Sequence, residues 1–549
     1  MKKKFMLLAS VLICTMMLPV LTSCTSEDNP ATSPDSDPDS SSLADVTIMY
    51  YGHGGGNLDL WESSGLRDMY MADASCFKNV KIAVEYKFSA QDKLPEAADE
   101  SEKKEMEELV KNKGREGELM ISYKNYLKWM APEGNSTFRF VVDPTKSLKE
   151  QAEGHYLPGK NAEITHPDSL TNFINWAAKA CPAKKYVLVL VDHGGGYAPN
   201  EDIFNGNAAS TRGVIFDDGN NGNHFSAPSL AYAIKASDIR PDVIYFDACM
   251  MNSLEYMFEL KDVTDYIVAS TFITLSGTQY SQLIDHLSKA PDNMKLAFEK
   301  FIKTRVKYFE STYGTGLLGD DVFYFDMTVT ETAKLDRLGR SMREFTDRLC
   351  NTYKNGTAEQ KQKIDEVTKN AVRISSVGSI YDVGRYMESM TEALPEVFDE
   401  AFGKELEESF NNCIAAQYYS KYLSMRDYQV DYSVLLATKG TYMETKWKDN
   451  EDAIDSKSHI LSNLTSYEPD GKYTEYAVEN GEFENGVTPN YTLKAVKEGQ
   501  WGGTLESVYG ALAFDKATGW SRWLLLNEQQ LPLWCNNEFQ TPLPIISEE

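Results

Sequence analysis

The chain has 549 residues, with 55 Lys and Arg against 82 Asp and Glu, a formal charge of −27. That length is too great for one ordinary domain, and the acidic balance argues against any nucleic acid partner. Beyond Cys24 the cysteines are Cys76, Cys181, Cys249, Cys350, Cys413 and Cys535; none stands in CxxC spacing, which excludes a zinc ribbon or a disulfide-dense scaffold and leaves room for one or two incidental disulfides.

Residues 1–23 read as a signal peptide. Lys2, Lys3 and Lys4 precede an apolar run from Phe5 to Val20, and Leu21-Thr22-Ser23-Cys24 resembles a bacterial lipoprotein signal with Cys24 as the lipidated residue. Setting those three lysines aside brings the charge to −30. Residues 24–43 are rich in Ser, Asp and Pro and predict a flexible tether. Ser26-Glu27-Asp28 resembles the acidic export tag of some surface lipoproteins. The expected location is the cell envelope, lipid-anchored at the outer membrane and exposed on its surface.

Val46 to Tyr51 predicts the first strand, running into Gly52-His53-Gly54-Gly55-Gly56. Val80 to Phe88 and Thr137 to Val142 predict further strands, with a solvated helix or insertion between Leu94 and Lys113. Leu170, Phe173, Ile174, Trp176 and Ala177 recur at helical spacing and lead to the apolar run Val187 to Val191, which is followed by Asp192, His193 and three glycines. A helix over Ala227 to Ala236 precedes a second such run, Val243 to Phe246, which ends in Asp247, Ala248 and Cys249. Tyr266 to Ala269 is a further strand. This alternation predicts an α/β fold over 44–330, a mostly parallel sheet flanked by helices. Asp321 to Asp326 returns to β pattern, long helices follow between residues 330 and 421, and Tyr428 to Thr438 and Tyr509 to Phe514 predict short strands. Residues 331–549 are expected to form a second, α+β region packed on the first.

If both apolar runs are parallel strands of one sheet, His193 and Cys249 emerge at the same carboxyl edge, where open α/β sheets place their ligands. A thiol attacks a carbonyl as thiolate and needs a base. Gly194 offers an unhindered N–H for a developing oxyanion, and a helix over Met251 to Leu260 would set its dipole on Cys249. Taken singly, a Cys at a strand end is more often a small buried hydrophobe and a His a structural hydrogen-bonder; their joint placement favours catalysis. His193-Gly-Gly-Gly lacks the Lys and Ser/Thr of a P-loop. The turn at His53 reads as a strand ending with an incidental His.

Asp192 to Gly196 followed by Phe246 to Met251, with Glu255 and then Asp265 to Ser270, resembles the clostripain-like cysteine peptidases. Phe173 to Val191, Gly213 to Asp218 and, more faintly, Val322 to Leu338 add to the likeness. The resemblance implies a caspase-like three-layer sandwich and an endopeptidase acting through a thioester. Cys249 would be the nucleophile, His193 the general acid and base, and the N–H groups of Gly194 and Cys249 the oxyanion hole. It implies a peptide or protein substrate, a monomer, and activation by self-cleavage, with Arg212 as the processing site. No cofactor is required; calcium serves some relatives, though no EF-hand pattern is present. Members that cut after Arg or Lys carry an acidic residue in the loop that here runs from Thr271 to Tyr280 without acid or proline. Thr271, Gly277 and Asp247 are therefore candidate substrate-binding residues for a neutral side chain, with Asp217 and Asp218 as other sources of charge. The competing readings are a surface lipoprotein that binds peptide or glycan in the same cleft without hydrolysis, and an acyl transferase or ligase using the same thioester.

Overall fold

The structure, a computed structural model, describes residues 43–130, 137–153, 155–157, 161–196, 213–220, 222–272, 274, 278–313, 325–370, 380–419, 435–437, 466–467, 473–474, 512–520, 522–523 and 526. Signal peptide, Cys24, the tether up to Ser42, Arg212, Gly277 and Cys535 lie outside the described residues. Among the described residues Cys76, Cys181, Cys249, Cys350 and Cys413 form no disulfide, and no helix is long and apolar enough to cross a membrane.

The strands, in chain order, are β1 (Ala44–His53), β2 (Val80–Lys87), β3 (Thr137–Val141), β4 (Ala183–Val191), β5 (Val214–Asp217), β6 (Asn223–Phe225), β7 (Val243–Asp247), β8 (Tyr266–Ala269), β9 (Asp326–Glu331), β10 (Ile380–Asp382), β11 (Ile414–Tyr419), β12 (Leu435–Ala437), β13 (Ser466–Tyr467) and β14 (Tyr473–Thr474). Eight of them form one sheet in the order β11-β9-β8-β7-β4-β1-β2-β3. The pairs β2/β1, β1/β4, β4/β7 and β7/β8 are parallel, while β3 and the β9–β11 pair close the two sides antiparallel. The expected helix-flanked, mostly parallel sheet is present.

Both faces of the sheet are buried, and the strands read as continuous apolar runs for that reason. Met49, Tyr51, Leu188, Leu190, Ile244 and Phe246 point into one core, against the helices Pro167–Ala180, Ala227–Lys235, Leu254–Leu260 and Leu335–Asn355. Ile48, Tyr50, Val187, Val189, Val243 and Tyr245 point into the other, against Asp59–Asp68, Tyr280–Lys289 and Met294–Tyr313. The helix Pro167–Ala180 starts where its pattern says: Pro167 needs no N–H in the first turn, and the His166 ring caps it by accepting from the Asp168 N–H at 3.2 Å. The Glu- and Lys-rich stretch is the helix Glu100–Lys113, closed by an Asp99/Glu102 capping box and burying only Met106, so it is a solvated face as expected.

Of Asp321 to Asp326, residues 321–324 are outside the described set, and Asp326 opens β9, where Met327 and Val329 face the core. Of Tyr428 to Thr438, only Leu435–Ala437 is described, as β12 paired with β10. Of Tyr509 to Phe514, residues 509–511 lie outside the described set, and Ala513 and Phe514 open not a strand but a helix, Ala513–Thr518, which ends on Gly519 at φ +64. Phe514 packs on Phe258 at 5.4 Å, and the Ala513 N–H donates to Glu259 Oε1. Tertiary packing thus overrides an aromatic strand-like pattern. Residues after 330 extend the main sheet through β11, and β9 itself spans the boundary drawn at 330.

Candidate active site

The order of strands decides where the site can be. From β1 the chain moves outward to β2 and β3, then returns to lay β4 on the other side of β1. Connections therefore diverge between β1 and β4, which opens a crevice beyond their carboxyl ends. Gly52 on β1 is level with Val191 on β4, and Val191 with Asp247 on β7. The turns that follow these three strands carry His53 to Asn57, Asp192 to Gly196, and Ala248 to Ser253.

The first two turns pack on each other through glycine backbone. Gly55 has φ +52, and a Cβ there would fall 2.0 Å from Asp192 Oδ1 and 2.8 Å from His193 Cδ2. Only glycine admits that approach. Leu58 and Asn57 donate their N–H groups back to the Gly54 carbonyl, at 2.6 and 3.2 Å, and bring Asn57 Oδ1 to 2.7 Å from His193 Nε2. A hydrogen bond to the Gly55 backbone also favours the charged ring, but burial and the neighbouring His53 charge dominate and push the His193 pKa down to about 4. At neutral pH His193 is a neutral base.

The turn after β4 is held from its other side by the β5/β6 hairpin. Gly195 donates to the Gly213 carbonyl at 3.0 Å, Ile215 to the His193 carbonyl at 3.1 Å, and Phe216 to Asp192 Oδ2 at 2.6 Å. Gly194 lies against the turn that carries Cys249: a Cβ on it would be 2.4 Å from the Cys249 carbonyl oxygen. The backbone turn of His193 and Gly194 is thus packed on that of Cys249.

Cys249 sits on a strained loop. Met250 has φ +55, uncommon outside glycine. Met250 and Asn252 donate to the Phe272 and Ser270 carbonyls at 3.1 and 3.0 Å, so residues 250–252 are committed to the segment after β8. The following helix begins only at Leu254. The expected start at Met251 is corrected accordingly, and Cys249 is too far before the first turn of the helix for its dipole to reach. The thiol donates to the Thr274 carbonyl at 3.6 Å and accepts from Thr274 Oγ1 at 3.5 Å. It is 7% exposed, and burial raises its pKa.

The carboxylates around this rim are already paired. Asp247 Oδ2 accepts from Tyr280 at 2.7 Å, and Oδ1 faces the buried Arg305 at 3.7 Å. Asp217 Oδ1 holds Lys87 Nζ at 2.5 Å. Asp218 Oδ1 is 3.0 Å from His53 Nε2. Burial alone would lower the His53 pKa, but the Asp218 hydrogen bond and the charges of Asp192, Asp217 and Asp218 outweigh it and raise it to about 9. Burial lifts Asp192 to about 8. His53, Asp217 and Asp218 converge closely enough to hold a cation, yet Lys87 and the protonated His53 already supply the positive charge. Thr271 is buried, its N–H donating to Asp326 Oδ1 at 2.8 Å and its hydroxyl oxygen accepting from Asn252 at 3.0 Å. Asp326 also accepts from Ser270 Oγ and the Phe272 N–H, at 3.0 and 3.2 Å, and so anchors the start of the Thr271 to Tyr280 loop.

Sequence reasoning missed Asn57, Lys87, Arg305 and Asp326, and it took the turn at His53 for an incidental one. His53 is fully buried among ionic partners, and its turn covers His193. The available signal was the repeat itself: two strands ending in His-Gly-Gly-Gly.

A family model described as the Clostripain family matches residues 104–467. Clostripain of Hathewaya histolytica is 26% identical over 161 residues, which are 25% of this chain and 30% of that protein, so the match spans under a third of the curated relative. Among solved structures, a secreted cysteine protease from Bacteroides thetaiotaomicron is 18% identical with a TM-score of 0.46, covering 69% of this chain and 87% of that one. An inactive zymogen protease from Parabacteroides distasonis is 16% identical with a TM-score of 0.43, covering 72% and 90%.

Proposed function

The chain belongs to the clostripain family, and we propose from that premise that it is a cysteine endopeptidase with Cys249 as nucleophile and His193 as general acid and base. The supporting observation is the pairing of β4 with β7, which sets the His193-Gly194 backbone against Cys249. Cys249 Sγ loses its proton to His193 as it bonds to the substrate carbonyl carbon. The N–H groups of Gly194 and Cys249 receive the oxyanion, and His193 passes the proton to the leaving amine. Water, deprotonated by His193, then hydrolyses the thioester. Thiol and imidazole are both neutral at rest, given a raised Cys249 and a His193 near pKa 4, so proton transfer accompanies attack.

The thiol is covered by Thr274, which fits a precursor that self-cleavage opens, with Arg212 as the scissile residue between the two motifs. The S1 pocket takes a neutral side chain. Thr271 contributes to its wall, Gly277, which lies outside the described residues, is the other substrate-binding candidate from that loop, and Asp247 fixes its floor through Tyr280 and Arg305. No cofactor or calcium is needed. The protein acts as a monomer on peptide or protein substrates, anchored through lipidated Cys24 to the outer membrane.

The test is incubation of the mature chain with a diverse peptide library beside Cys249→Ala, with products identified by mass spectrometry. Cleavage lost in the variant is expected. No cleavage with or without calcium and reductant would overturn the reading in favour of a lipoprotein that only binds peptide or glycan.

A further inference from the structure

We propose that Asn57, on the turn after β1, is a positioning residue for His193, its amide oxygen fixing the orientation of the imidazole from across the crevice. The proposal rests on the peptidase reading above. Asn57 Oδ1 lies 2.7 Å from His193 Nε2, a full hydrogen bond between residues 136 apart in sequence. An amide oxygen only accepts, so it selects the ring form that carries a proton on Nε2. The same bond strengthens when His193 takes the thiol proton and becomes charged.

Asn57 is itself exposed, and its place is set by the turn that carries it. Gly54 receives both the Asn57 and Leu58 N–H groups, and Gly56 donates its N–H to Ser89 Oγ at 2.7 Å. Gly55 touches Asp192 and His193 with no space for a Cβ. The strand end is pinned below by His53, with one ring nitrogen 2.8 Å from the Lys87 carbonyl and the other 3.0 Å from Asp218. These contacts explain why a glycine-rich turn remote in sequence from either motif is built so tightly: it presents one side chain to the base. An exposed Asn with a purely structural task would bond its own turn, as the Asp73 and Asp143 side chains do with Ser75 and Thr145.

The experiment measures the rate of Cys249 alkylation by iodoacetamide against pH, by peptide mass spectrometry, in the mature wild-type chain and in Asn57→Ala, Asn57→Asp and His193→Ala. Wild type is expected to show an acidic limb that His193→Ala abolishes. Asn57→Ala should lower the plateau by about tenfold, the worth of one hydrogen bond to a charging group, and move the limb to lower pH. Asn57→Asp should move it up by about one pH unit or more, through a carboxylate beside the ring. Melting temperatures should stay at the wild-type value, because Asn57 is exposed. A His193-dependent limb that is unchanged in both Asn57 variants overturns this proposal alone. A wild-type profile with no His193-dependent limb overturns the peptidase reading beneath it.

Discussion

Lys87 Nζ and Asp217 Oδ1 meet at 2.5 Å with both side chains wholly buried, joining the end of β2 to the hairpin that clamps the His193 turn. The pair spans 130 residues of sequence and lies beside His53. It therefore ties the end of β2 and the turn at His53 to the hairpin that holds the His193 turn.

Breaking this pair from one side leaves an uncompensated buried charge, which costs about 3–5 kcal/mol. Lys87→Met and Asp217→Asn should each lose about that much stability, read from the urea midpoint at constant slope. The double variant should lose less than the two singles together, because it removes both charges. Additive losses would show that the two residues act independently.

Stability should fall as pH rises from 6.5 to 9. His53 has a folded pKa near 9 against 6.5 unfolded, so its contribution is complete below 6.5 and is lost as pH rises through 9. Asp192, near 8 when folded against 3.8, keeps a proton that the unfolded chain has released, and pulls the same way up to about pH 8. His193 acts in the opposite sense, but only between about 4 and 6.5. Melting temperature measured across pH 6.5 to 9 should decline, and His53→Gln should flatten that slope whatever its effect at a single pH. A slope unchanged by His53→Gln would remove His53 as its source.

Gly194→Ala separates catalysis from folding. The added methyl meets the Cys249 carbonyl oxygen at 2.4 Å, a backbone atom that cannot swing away. The two turns must separate, which misplaces base and thiol together. Misplacement by about 1 Å costs around a hundredfold in rate. We expect kcat/KM to fall by about that factor or more while the far-ultraviolet circular dichroism spectrum is unchanged. Retained activity would mean that the close contact is not part of the working geometry.

The sheet was legible in the sequence because both of its faces are buried. Val187 to Val191 and Val243 to Phe246 have no polar residue to blur them, and the two runs pair directly as parallel strands. The placement of His193, Gly194 and Cys249 just past neighbouring strand ends was legible for the same reason, each coming within a few residues of such a run. Asn57 was not, because its partner is 136 residues away and its own turn is exposed and without periodicity. The helix after Cys249 was placed three residues early because nothing local announces that Met250 and Asn252 spend their N–H groups on the loop after β8. Arg305 sits in a helix whose Lys295, Lys300, Lys303 and Lys307 are exposed, and only the tertiary fold turns it toward Asp247.

Substrate preference follows from how the carboxylates are paired. A basic P1 residue needs a carboxylate that is ionised and uncommitted. Asp247, Asp217 and Asp218 face Arg305, Lys87 and His53 respectively, so each candidate counter-charge is matched by a cation of the protein itself. Asp192 and Glu62 are buried, with pKa values raised, and Asp192 at about 8 is protonated at neutral pH. The loop from Thr271 to Tyr280 adds no acid. Bringing a Lys or Arg side chain into this neutral rim costs desolvation with nothing gained in return. Peptides differing only at P1 should therefore be cut with kcat/KM at least about tenfold higher for an uncharged residue than for Lys or Arg, since an unmatched charge is worth more than the 1.4 kcal/mol of a tenfold step. Arg305→Met, which releases the Asp247 carboxylate from its partner, should narrow that ratio toward Lys and Arg. A wild-type preference for basic P1 would show that one of these ion pairs opens to receive substrate.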